Sequence, residues 1–123
     1  MISRELLSEV MGIHIYERKK SAQTSIIRYA FDAIGERRDG SINIYELAHK
    51  CKEWALDNRY IITTMPNLTE KKWRNTSIRL LHFYSSRKDR HIQQHHPDNR
   101  FEGDTEAEAV FKACEWILKY KEV

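Results

Sequence analysis

The string His91-Ile92-Gln93-Gln94-His95-His96-Pro97-Asp98 holds the densest run of side chains able to bind a metal or move a proton. His91 and His95 are four apart, so a helix there would put both on one face, with Asp89 or Asp98 as oxygen ligands, which is how a zinc site can begin. The pattern goes no further. The chain has no His-Glu-x-x-His motif, its two cysteines lie far away in sequence, and Gln93 and Gln94 are poor zinc ligands. A polar, solvated loop whose imidazoles take up protons as the pH falls towards about 6 accounts for the same residues. No metal site is assigned, and no cofactor is implied.

Nucleophilic or nucleotide chemistry finds as little support. Four scattered glycines form no phosphate-cradling loop, no Gly-x-Ser-x-Gly elbow and no dinucleotide fingerprint. His49 and His82 have no nucleophile or carboxylate at a recognisable spacing and read as satisfied structural histidines. Catalytic groups converge in space rather than along a chain, yet no set can be named, and the expectation is a protein that is not an enzyme.

Charge is more informative. Between Lys71 and Arg100 stand eight basic residues, Lys71, Lys72, Arg74, Arg79, Arg87, Lys88, Arg90 and Arg100, against Asp89 and Asp98. That stretch carries +6 and the remainder −3, within a chain of net charge +3. A polarised surface attracts acidic partners and speeds their association. Trp73, Phe83, Tyr84 and Phe101 are interleaved with the cations, and cations with rings are what single-stranded nucleic-acid binding uses. No nucleic-acid motif accompanies them, and an acidic protein surface would be attracted equally well. The candidate contact residues are therefore Lys71, Lys72, Trp73, Arg74, Arg87, Lys88 and Arg90, with an acidic protein surface as the first partner class and DNA or RNA as the alternative.

These residues need a scaffold. Ser3 can cap a short helix over 3–11 that places Leu6, Leu7 and Val10 on one side and ends at Gly12. Ile13 to Arg18 alternates, Thr24 to Asp32 is rich in β-formers, and the polar link between them suits a hairpin. Gly35 to Gly40 reads as turn chemistry. Asn43 with Glu46 then opens a helix whose Ile44, Leu47, Ala48, Cys51, Trp54 and Ala55 recur at spacings of three and four. A strand follows over 60–65, ended by Pro66-Asn67, and another over 77–84 with apolar residues on both faces. Asn99 to Glu102 can add a short edge strand.

Asp104 or Thr105 with Glu108 opens the last helix, whose stripe is Ala107, Val110, Phe111, Cys114, Ile117 and Leu118. Cys51 and Cys114 both fall on apolar stripes and read as small core thiols. Trp54 lies on its stripe, whereas Trp116 falls beside its own and is expected at a flank.

The chain has 123 residues, 41% of them hydrophobic and 32% charged, which suits one domain over 1–123 and excludes collagen-like and Pro/Gly-rich classes. Its start lacks an apolar run of signal-sequence length, so export and a membrane span are not expected. Together the elements predict an α+β fold, a mainly antiparallel sheet covered by helices in the order α-β-β-α-β-β-(β)-α. Nothing in the sequence sets an oligomeric state.

The block Phe101-Glu102-Gly103-Asp104-Thr105-Glu106-Ala107-Glu108-Ala109-Val110-Phe111-Lys112-Ala113 resembles a signature of small bacteriophage and prophage proteins with the ABA-sandwich domain, in which a strand runs through an acidic-Thr-x-x-Glu-Ala turn into an Ala-rich closing helix. Ile44 to Ala55 resembles their other helix. The long basic region before Phe101 departs from that pattern. The resemblance implies a phage or mobile-element accessory protein, with no established activity and no catalytic residues, working in the bacterial cytoplasm. Such accessory proteins often bind and inhibit host machinery, including defence systems such as CRISPR effectors, an analogy of context rather than of motif.

Overall fold

The computed structural model describes residues 2–67, 72–80 and 101–121. Lys71, Arg87, Lys88 and Arg90, the histidines at 82, 91, 95 and 96, and the part of the expected strand beyond Leu80 lie outside the described residues.

The elements run α1 (Arg4–Met11), β1 (His14–Lys19), β2 (Ile26–Ala33), β3 (Glu36–Asn43), α2 (Ile44–Asp57), β4 (Tyr60–Asn67), β5 (Lys72–Leu80), β6 (Glu102–Gly103) and α3 (Glu106–Lys121). The class is α+β, and the order differs from expectation by one added strand, β3. The strands form two antiparallel three-stranded sheets, ordered β1-β2-β3 and β4-β5-β6.

The capping residues act as their chemistry requires. Ser3 Oγ accepts from the Leu6 N–H at 3.1 Å, and Gly12, at φ +68°, donates its N–H to Ser8 O at 2.9 Å. Asn43 Oδ1 accepts from the Tyr45 N–H at 2.8 Å and so starts α2. Thr105 Oγ1 accepts from the Glu108 N–H at 3.1 Å, while the Glu108 carboxylate reaches back to the Asp104 N–H at 3.0 Å. The second arm of this capping box thus lands one residue before the cap.

β3 corrects the reading of Gly35 to Gly40 as a turn. The turn is only Ile34-Gly35, both with positive φ (54° and 75°), as a two-residue hairpin of type I′ requires. From Ala33↔Glu36 to Ile26↔Asn43 the register with β2 is unbroken. Gly40 is a strand position opposite Tyr29, and a Cβ there would lie 2.7 Å from the Tyr29 ring. It is bare because the ring occupies that space. The strand has no alternating apolar signature because only Ile42 is buried.

In the second sheet β4 continues through Pro66 to Asn67, one strand from the sheet centre, where a residue without an N–H is tolerated. β5 starts at Lys72, earlier than the expected Ser77. α2 contacts both β3 and β4, and α3 packs on all three strands of the second sheet. Both helices bury the stripes read from their spacing, and one core cluster joins them to α1 and the sheets. Cys51 and Cys114 are free, fully buried thiols at the α2–α3 contact, with Cys114 Sγ donating to Cys51 O at 3.6 Å. Trp54 is buried, and Trp116 sits half-buried at the flank, edge-on to Tyr60 with centroids 6.5 Å apart. Among the described residues no helix is long and apolar enough to cross a membrane.

Candidate partner-binding surface

Lys72, Trp73 and Arg74 open β5, the central strand of the second sheet. Lys72 is opposite Asn67, Trp73 lies between Pro66 and Gly103, and Arg74 lies between Met65 and Glu102. Pairing on both sides fixes the backbone of Trp73 and Arg74, and pairing with β4 that of Lys72. β6 is pressed on the start of α3: a Cβ at Gly103 would lie 2.7 Å from Glu108 Cβ and 2.8 Å from the Ala109 backbone nitrogen. Phe101, one of the rings considered for base stacking, packs against the core instead.

The same region gathers carboxylates. Glu102 stands directly across from Arg74, and Lys112 Nζ donates to Glu102 O at 2.7 Å while lying 3.9 Å from Glu108 Oε1. Glu106, in the first turn of α3, accepts from Lys52 Nζ at 2.9 Å and from Thr64 Oγ1 at 2.7 Å. Those two hydrogen bonds, the lysine's first and the threonine's second in effect on the titration, hold the Glu106 carboxyl below its ordinary range against the opposing effect of burial. The described flank of the cationic segment is therefore of mixed sign. Of the candidate contact residues, the fold brings Lys72, Trp73 and Arg74 together beside β6, and the other four are outside the described residues.

His49 also differs from its reading. It is exposed on α2, with Nε2 2.7 Å from Glu53 Oε1 one turn on, so a carboxylate does accompany it. A surface pair of this kind is ordinary helix chemistry. Among the described residues no three His, Cys, Asp or Glu side chains converge as a metal site would need.

A second cluster escaped the sequence. The β1–β2 register slips between Ile15 and Glu17, making Tyr16 a bulge. Simple alternation would send Glu17 inward after Ile15, whereas the extra residue leaves Tyr16 and Glu17 both exposed and gives the inward place to Arg18, whose guanidinium reaches Ile2 O. The Tyr16 ring meets His14 edge-on at 4.7 Å, and Arg37 lies over it at 5.3 Å from the centroid. A hydrogen bond to Asp32 pushes the Tyr16 phenol upward, so it stays a donor. Two ion pairs cross from β1 to β3 above β2, Lys19–Asp39 at 2.7 Å and Glu17–Arg37 at 4.0 Å. Hydrogen bonding to Lys19 holds the Asp39 carboxyl below its usual range. The glycine-bracketed sequence reads Arg37 and Asp39 as turn residues, and only the register of β3 places them across from Tyr16 and Lys19.

No protein-family model, no curated protein and no solved structure matches this chain.

Proposed function

We propose that this is a small non-enzymatic accessory protein of a phage or mobile element, working in the cytoplasm of the bacterial host. It binds an acidic surface of a host or phage protein through Lys71, Lys72, Trp73, Arg74, Arg87, Lys88 and Arg90, and inhibition of a host defence system such as a CRISPR effector is the role that the analogy of context suggests for it. The phage context comes from the resemblance of the Phe101–Ala113 block and of Ile44 to Ala55 alone. Preference for protein over nucleic acid rests on one observation, the placement of Arg74 directly opposite Glu102. A carboxylate set beside the cations is repelled by a phosphate backbone of uniform sign, whereas a mainly acidic protein surface also carries donors that can meet it.

The test is reversal of Lys71, Lys72 and Arg74 to Glu together, followed by co-purification from infected cells. Loss of a partner that the wild-type chain retains supports the surface. Retention of every wild-type partner overturns it.

A further inference from the structure

The two edges of the first sheet are unlike. β1 is broken by the Tyr16 bulge and ends in Lys19, both of which discourage addition of another strand. β3 has neither bulge nor proline over its eight residues, its exposed charges Glu36, Arg37, Arg38 and Asp39 are of both signs and so repel only a strand that sets like charges against them, and among the described residues no strand lies on its outer edge. An unbroken edge strand is a template for strand addition.

Large exposed apolar side chains flank this strand. Ile34, just before β3, is 99% exposed, and Tyr45, just after it, is 62% exposed. Antiparallel pairing of β3 with its own copy about Arg38 sets the start of one strand beside the end of the other, which places each Ile34 across from Ile42 of the other copy.

The charges fit the same arrangement. With Arg38 opposite its own counterpart, Arg37 of each copy faces Asp39 of the other on the outer side of the sheet, twice over by symmetry. The two Arg38 residues meet on the other side, each with Glu36 of its own chain 3.4 Å away as counter-ion. The register sets two opposite-charge pairs against the one Arg38–Arg38 contact, and those pairs extend across the two-fold axis the ion pairs that Arg37 and Asp39 make with Glu17 and Lys19 of their own sheet.

We propose that a second copy of this chain docks on β3 in antiparallel register about a two-fold axis at Arg38, extending the first sheet from three strands to six. The interface is separate from the surface on β5 and does not depend on the function proposed for it.

Sedimentation equilibrium of the full chain from micromolar to near-millimolar concentration tests this. The expected result is a reversible dimer. Asp39→Arg places like charges opposite each other at two symmetric positions and weakens the dimer by about tenfold or more, while mixing that variant with Arg37→Asp sets opposite charges at both positions across a heterodimer, each chain keeping the same contacts with its own Glu17 and Lys19 as in its homodimer, and this charge swap between chains restores association at least in part. Circular dichroism of each variant checks that the fold is retained. A monomer at every concentration, a dimer indifferent to Asp39→Arg, or failure of the charge swap to recover association overturns the proposal.

Discussion

The ring of Tyr29 lies across Gly40, its register partner in β3, so closely that a Cβ on residue 40 would sit 2.7 Å from two ring carbons. The contact lets a buried aromatic on the central strand cover the bare backbone of the edge strand, and it is why a glycine stands inside a strand at all. Burial also pushes the Tyr29 phenol above its ordinary range. Gly40→Ala forces the ring aside and is expected to cost about 1–3 kcal/mol. Urea denaturation measures it, and in a Tyr29→Ala background, itself destabilised by loss of the buried ring, the same Gly40→Ala change should cost less, because the clash is gone.

Ile34 is a β-branched residue held at positive φ and almost wholly exposed, so it gains no burial in the monomer to offset its strain. Asn-Gly is the favoured pair for this turn. Ile34→Asn should therefore stabilise the chain by about 1 kcal/mol and raise Tm by about 3–5 °C, read by thermal denaturation at low protein concentration.

The Glu106 carboxyl is lowered in the folded chain, so its hydrogen bonds to Lys52 and Thr64 stabilise the fold above the unfolded carboxyl range, near pH 4.3 as an approximate reference value. That stability is lost as the pH falls through the lower folded value. Glu106→Gln should be less stable than wild type at pH 7 and converge with it in acid. The lysine and the carboxylate are both more than a third exposed, so solvent screening keeps the difference to about 1 kcal/mol or less. Tm against pH for the two proteins checks both sign and size.

Cys51 and Cys114 should be chemically silent in the folded protein. Hydrogen bonding with Cys51 and burial together hold the Cys114 thiol protonated well above the usual thiol range, and the thiolate is the reactive form. Labelling with a thiol reagent at pH 8 is expected to run about a hundredfold or more slower than in urea, with both residues labelled once the chain unfolds. Rapid native labelling would contradict the tight α2–α3 contact.

What could be read in advance follows burial. α2 and α3 were legible because their apolar residues recur at helical spacing on faces the core covers, and Ser3, Asn43 and Thr105 announce their helices through capping that needs only local chemistry. β3 was not, since an edge strand with Ile42 as its one buried side chain has no apolar period to detect. The Tyr16 bulge depends on register with β2, which no spacing within β1 encodes. Arg74 was legible as a cation but not as the neighbour of Glu102, because twenty-eight positions separate them and only the β5–β6 pairing brings them together.

Affinity purification of the full chain from phage-infected cells, with and without nuclease, tests the proposed function most directly. The same protein partner should be retained after nuclease and lost when Lys71, Lys72 and Arg74 are replaced by Glu. A partner released by nuclease, or one held equally by the reversed variant, would contradict it.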